Sequence, residues 1–216
     1  MVAISENDAD QIVLDVRNVS KSFGRNRVLR DVSFRIRRGE VAGIVGENGS
    51  GKTTLLKIIV GLLRPNSGAV DARARAGYCP QDLLVFETLT IRENFNYFAA
   101  AYGLTGSGFS PGWQEIKGTL LRRFRFEAYE NRLVSTLSGG TKQKLNFCLA
   151  LIHSPGLLIL DEPYSGFDWE TYLHFWDYAK ELKARGCGIL IVTHFIYDRS
   201  RFNALFELKE GVLRCA

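Results

Sequence analysis

The sequence predicts an α/β fold in which a mixed, largely parallel sheet forms the core, an antiparallel β-portion lies near the start, and a helical subdomain interrupts the strands. Three observations predict it. Residues 41–45, 157–161 and 188–193 are apolar runs of strand length without alternation, as expected of strands buried on both faces of a parallel sheet. Residues 12–19 and 32–37 alternate apolar and polar side chains, the pattern of half-buried antiparallel strands. Between residues 84 and 135 no comparable strand run occurs, and helix signals take its place.

The elements follow in order. Arg38-Gly-Glu40 turns the chain into the strand at 41–45, and Leu55, Ile58, Ile59 and Leu62 carry helical spacing over 52–63. A strand is expected at 76–79. Thr90-Ile-Arg-Glu93 reads as a capping box opening a helix to about Tyr102, and residues 114–126 as a second helix after a Gly- and Ser-rich connection at 103–112. Ser138 is a plausible N-cap for a segment with Leu145, Leu149 and Ile152 at helical spacing. A helix over 169–185 separates the two later buried strands, and residues 204–215 read as a hairpin turned at Glu210-Gly211. The expectation is a single domain over 1–216, with the sheet core in 1–83 and 157–216 and the helical subdomain in 84–156.

Composition bounds the class. A chain of 216 residues, 46% apolar and 24% charged, is ordinary for a globular protein. No apolar stretch reaches the ~18 residues a membrane span needs, and a start bearing Glu6, Asp8 and Asp10 is not a signal peptide, so a cytoplasmic location is expected. Cys79, Cys148, Cys187 and Cys215 show no C-x-x-C spacing and read as free thiols, mostly in core elements. The net charge of +5 includes Arg25, Arg27, Arg30, Arg35, Arg37 and Arg38, with Arg122, Arg123 and Arg125 later. In 35–37 the arginines alternate with apolar residues, so a solvated strand face is the preferred account over a partner patch, and no nucleic acid is expected.

Four segments carry chemistry. Residues 46–53, Gly46-Glu-Asn-Gly-Ser-Gly-Lys-Thr53, follow a buried strand and open a helix, the context of a phosphate-binding loop. Glycines let backbone N–H groups turn on phosphates, Lys52 adds a point charge, Thr53 a hydroxyl for Mg²⁺, and the helix its positive dipole end. Candidate contacts are Gly46, Glu47, Asn48, Gly49, Ser50, Gly51, Lys52, Thr53 and Thr54. Asp161 and Glu162 end the strand at 157–161, where open α/β sheets bind ligands. Asp161 is placed to hold Mg²⁺ and Glu162 to polarise an attacking water; an acid pair after a strand also reads as the cap of the next helix. Leu137-Ser-Gly-Gly-Thr141 offers a second anion-binding helix start at Ser138, Gly139 and Gly140, or simply a capped helix with a flexible entry. His194 ends the run 188–193, at a strand's carboxyl end; His153 and His174 lie in predicted helices and receive no function.

Together and in this order, these segments resemble the nucleotide-binding subunit of an ABC transporter, over nearly the whole chain from about Ile12. Residues 46–53 match the Walker A loop, Gln81 the Q-loop, 137–141 the signature, 157–162 the Walker B strand with its catalytic glutamate, Ser165-Gly-Phe-Asp168 the D-loop and His194 the switch histidine. The resemblance implies a phosphate-loop NTPase with a RecA-like core, ATP and Mg²⁺ as cofactors, Glu162, His194 and Lys52 as catalytic residues, and Thr53, Gln81 and Asp161 toward the metal. It places Phe23 where the family stacks an aromatic on adenine, although a core phenylalanine in a β-turn is the other reading. Base stacking is worth roughly 1–3 kcal/mol and is sequence-tolerant.

It further implies that the Walker A loop of one subunit and the signature of a second, identical or different, close over one ATP, and that a transmembrane permease subunit docks on the helical lobe beside the Q-loop, on the cytoplasmic face of the membrane. Phe86, Phe95, Tyr97, Phe98 and Tyr102 are candidates to line that groove, most of them as core. Residues 88–104 are similar to export-type cassettes, and the chain ends soon after His194, so the carboxyl-terminal regulatory domain of some relatives is not expected. Two positions depart from the family pattern: Thr141 replaces the usual glutamine, and Phe167 is bulky in a loop that lies at the family's subunit interface. A soluble ABC ATPase acting on ribosomes or DNA would share every motif, yet such relatives carry tandem cassettes or a coiled-coil insertion, and neither an internal repeat nor a heptad run occurs here. A phosphate-loop kinase leaves residues 137–141, the D-loop and His194 without a role.

Overall fold

The computed structural model describes residues 11–105 and 112–216, so the connection expected at 103–112 lies mostly outside the described residues. The chain divides into two compact units: residues up to Tyr78 with Gly156–Glu162 and Glu181–Ala216, and Cys79–Pro155 with Pro163–Lys180.

The first unit contributes, in chain order, β1 (Ile12–Phe23), β2 (Asn26–Arg37), β3 (Val41–Val45), α1 (Lys52–Ile59), β4 (Ser67–Ala72), β5 (Ala76–Cys79, its last residue in the second unit), β6 (Leu157–Asp161), β7 (Gly188–Thr193), β8 (Ala204–Lys209) and β9 (Val212–Cys215). One sheet has the order β2-β1-β4 and is antiparallel throughout. The other has the order β5-β6-β7-β3-β8-β9, with β6, β7, β3 and β8 parallel and β8–β9 the hairpin expected at the end. β6 and β7 are buried at every position, which is why they read as unbroken apolar runs. In β2, Val32, Phe34 and Ile36 are buried while Ser33, Arg35 and Arg37 are exposed, so the basic residues form a wet strand face. Arg35 pairs at 3.0 Å with Asp15, which is 4% exposed. One apolar cluster, including Leu14, Ile36, Ile44, Leu55, Leu56 and Leu190, joins both sheets to α1.

Three expectations are corrected. α1 ends at Ile59, four residues short of 63, because Gly61 takes φ +79° and closes it; Leu62, assigned to the apolar stripe, is 70% exposed. β2 begins at Asn26 and makes a long hairpin with β1, and β4 was not foreseen. Ser-Gly-Ala-Val-Asp-Ala has little strand propensity, and pairing with β1 decides its conformation.

The second unit contributes α2 (Ile91–Ala101), α3 (Gly112–Arg123), α4 (Gly139–Leu149) and α5 (Trp169–Ala184), the end of α5 lying in the first unit. Its core is aromatic: Phe147 meets Phe124 and Phe175 at ring distances of 5.4 and 5.2 Å. The capping box at α2 is present, with Thr90 Oγ1 accepting from Glu93 N at 3.2 Å and Glu93 Oε2 accepting from Thr90 N at 2.7 Å. Those bonds hold the Glu93 carboxyl below its ordinary value. Their contribution is therefore complete above the unfolded value and disappears as pH falls through the folded one. Thr90→Ala is expected to cost about 1 kcal/mol, read as a lower urea midpoint at unchanged m-value. His153, expected within a helix, lies in the turn after α4 and stacks on Tyr102 at 4.0 Å. Cys79, Cys148 and Cys187 are buried and Cys215 is exposed; burial pushes the Cys187 thiol up to about 11.

Candidate active site

The glycine loop leaves β3 after Val45 and is packed against its own unit. A Cβ added at Gly46 would lie 2.4 Å from the Leu208 carbonyl oxygen and 2.8 Å from Ser50 Oγ, so only glycine fits. Gly51, at φ +105°, caps α1 without any side-chain acceptor, and the first-turn N–H groups are not taken by a capping side chain. Lys52 is 8% exposed, and its Nζ donates to the carbonyls of Gly46 at 2.6 Å and Glu47 at 2.9 Å, which folds the cation back over the loop. Gly46→Val is expected to abolish nucleotide binding, because the loop must shift to admit the side chain; titration with a fluorescent ATP analogue checks it.

The acids and the histidine come from neighbouring parallel strands. In register, Val45 lies beside Thr193 and Asp161 beside Val192, so the carboxyl ends of β3, β7 and β6 are adjacent. Thr53 Oγ1 donates to Asp161 Oδ2 at 3.4 Å. A hydroxyl and a carboxylate fit Mg²⁺, which takes one or two protein oxygens and fills its shell from water and phosphate. Among the described residues no cluster of three or more His, Cys, Asp or Glu offers a dedicated metal cage. Glu162 has φ +49°, a left-handed conformation that costs a non-glycine residue roughly 1–3 kcal/mol and that concentrates at functional sites. Its N–H donates to Val192 O at 2.8 Å, and its carboxylate accepts from His194 N at 2.7 Å and Thr193 Oγ1 at 2.8 Å, with His194 Nδ1 at 2.8 Å. The first unit thus brings Gly46, Lys52, Thr53, Asp161, Glu162 and His194 to one end of its sheet. Thr193 was missed: inside an apolar run, a threonine reads as strand filler.

Phe23, at the end of β1, is 52% exposed with Lys21 Nζ 5.3 Å from its ring centroid, so the core-phenylalanine reading does not hold.

Gln81, Ser138, Gly139 and Gly140 belong to the second unit. Gln81 is exposed in the segment after β5, which Asn146 of α4 holds at both ends: Asn146 Nδ2 donates to Pro80 O at 3.0 Å, and its Oδ1 accepts from Leu84 N at 3.0 Å. Asn146 was also missed, since nothing in a helical pattern announces a buried amide. Asn146→Ala leaves both backbone groups unpaired, and a loss of about 1–3 kcal/mol is expected in thermal melts. Ser138 is the N-cap of α4, its Oγ accepting from Thr141 N at 3.3 Å. Thr141 Oγ1 lies 2.9 Å from the same oxygen, so the departure from glutamine ties the serine to its own helix. A Cβ at Gly139 would meet open space, whereas one at Gly140 would lie 2.9 Å from Gly166 O of the D-loop. Phe167 turns toward the core, 6.5 Å from Phe175, and Asp168 accepts from Thr171 N at 2.8 Å to cap α5.

A glycine cradle between a buried strand and a helix, with a hydroxyl–carboxylate pair and a histidine-bound glutamate on the adjoining strands, defines an α/β phosphate-loop protein built to hydrolyse a nucleotide. The chain belongs to the ABC transporter family, whose profile matches residues 29–165. It is 34% identical over 211 residues to the Nod factor export ATP-binding protein I of Burkholderia orbicola, covering 92% of this chain and 68% of that one. It is 30% identical over 213 residues to ABC transporter G family member 20 of Dictyostelium discoideum, covering 93% of this chain but 29% of that one. A solved ATP-binding subunit of an ABC transporter superposes with a TM-score of 0.85 at 31% identity, covering 94% of this chain and 90% of the other. A dimeric bacterial ABC transporter cassette superposes at 0.81 with 25% identity, covering 92% and 95%. The protein is an ATP-binding, ATP-hydrolysing cassette of this family.

Proposed function

We propose that this chain is the energising subunit of a membrane exporter: it binds ATP with Mg²⁺, pairs with a second cassette, identical or different, and transmits closure and release to a transmembrane permease on the cytoplasmic face. The observation that carries the proposal is the Glu162 constellation, a carboxylate that meets His194 N, His194 Nδ1 and the Thr193 hydroxyl at the end of the sheet where Asp161 and the start of α1, with Lys52 and Thr53, also lie. In this reading the loop N–H groups and Lys52 hold the phosphates, and Phe23 stacks on the adenine. Glu162 takes the proton of the attacking water. His194 bridges Glu162, through Nδ1, to the γ-phosphate, through Nε2. Thr53 and Asp161 would hold Mg²⁺, which would supply charge neutralisation at the phosphates when bound.

Ser138, Gly139 and Gly140 serve the ATP of the second cassette. The backbone around Gly139 is open to an approaching phosphate. Among the described residues no helix is long and apolar enough to cross a membrane. In the second unit Phe95 is buried, but Tyr97 is 52% and Phe86 41% exposed, meeting edge to face at 4.5 Å near exposed Leu83 and Leu84. We assign the permease's docking helix to this patch. The export direction follows the name of the Burkholderia relative. Purification of the tagged chain from detergent-solubilised membranes tests the proposal. A multi-span protein is expected to co-purify and to raise ATP turnover; a soluble ribosomal or nucleic-acid assembly in its place contradicts it.

A further inference from the structure

The geometry points to Thr193 as the residue that positions the reacting oxygen of Glu162, an inference that rests on reading Glu162 as the group facing the attacking water. A carboxylate offers about four lone-pair sites, two per oxygen. Glu162 Oε1 meets both the backbone N–H of His194, at 2.7 Å, and His194 Nδ1, at 2.8 Å, so its acceptor capacity is taken. Oε2 has one donor among the described residues, the Thr193 hydroxyl at 2.8 Å. One site therefore remains on Oε2, which makes Oε2 the oxygen that accepts a proton.

Thr193 has one hydroxyl hydrogen and two acceptors in reach, Glu162 Oε2 at 2.8 Å and Phe195 O at 3.1 Å. The shorter contact and the charged acceptor both favour Glu162. The hydroxyl oxygen in turn lies 3.3 Å from Phe195 N and accepts from it, which fixes the turn that carries His194 out of β7. Thr193 is 1% exposed, so its rotamer is held by packing and the bond is made without competing water. Glu162 needs such support. Without Thr193 the Oε2 end is held only through the torsion that His194 fixes at Oε1.

The test is steady-state turnover of Mg-ATP by the purified chain, with nucleotide affinity measured separately. Thr193→Val keeps shape and removes the donor. It is expected to lower kcat about tenfold, a part of the ~10²–10⁴ that a positioned base supplies, with KM and ATP affinity within about twofold of wild type. Thr193→Ser is expected to restore turnover. If Thr193→Val does not fold, Thr193→Ser against Thr193→Ala asks the same question, with Ser active and Ala impaired. In a Glu162→Gln background, Thr193→Val is expected to cause no further loss. Wild-type kcat in Thr193→Val, or equal loss in the Ser and Ala variants, overturns the positioning role while Glu162→Gln remains inactive. Full turnover by Glu162→Gln instead overturns the reading of Glu162 on which the inference rests.

Discussion

Glu162→Gln is expected to bind Mg-ATP with near wild-type affinity and to lose roughly 10²–10⁴ in turnover, the share a positioned base contributes. The substitution is nearly isosteric, and an amide carbonyl still accepts from the His194 N–H that now reaches Oε1. What disappears is the charge and the open lone-pair site proposed to take the proton of water. The phosphate loop is untouched, because Lys52 and Gly46 engage each other and not Glu162. Single-turnover hydrolysis alongside a binding titration separates the two quantities. A variant that binds weakly and hydrolyses at the wild-type rate per bound ATP would place the base elsewhere.

The second large effect is expected at Lys52. Its ammonium is buried and donates to two loop carbonyls, so Lys52→Ala removes the cation proposed to face phosphate and leaves the Gly46 and Glu47 oxygens without that donor. A hydrogen bond to a charged group contributes roughly 1.5–3 kcal/mol, equivalent to a loss of about 10- to 100-fold in affinity for ATP. The loss is expected to be larger for ATP than for AMP, whose single phosphate makes fewer loop contacts. Equal affinities for both nucleotides in wild type and variant would mean that the loop does not hold the polyphosphate.

Most of the core was legible because its strands are buried on both faces, and burial on two faces leaves an unbroken apolar run of strand length. The glycine loop was legible for a related reason: a Cβ at Gly46 has no room, so that position tolerates no alternative. What was not legible depends on partners distant in sequence. β4 owes its conformation to pairing with β1, from which it is separated by more than forty residues in register. Thr193 and Asn146 are polar groups inside apolar patterns, and only the folded chain shows that one reaches Glu162 and the other spans the segment around Gln81. The left-handed backbone of Glu162 is equally silent, since no glycine marks it. Even the end of α1 was misjudged where Gly61 outweighed an apolar periodicity that runs on through Leu62. Local signals picked out the candidate residues, and long-range contacts set where they meet.

The account as a whole requires that ATP be held between the glycine loop of one cassette and Ser138 of another. The most direct measurement is the solution mass of Glu162→Gln by light scattering, with saturating Mg-ATP, with ADP, and with Ser138→Arg added to the same background. The mass is expected to double with Mg-ATP, to stay monomeric with ADP, and to stay monomeric with Mg-ATP once Ser138 carries the arginine side chain. A Glu162→Gln chain that remains monomeric while saturated with Mg-ATP, or a dimer indifferent to Ser138→Arg, contradicts it.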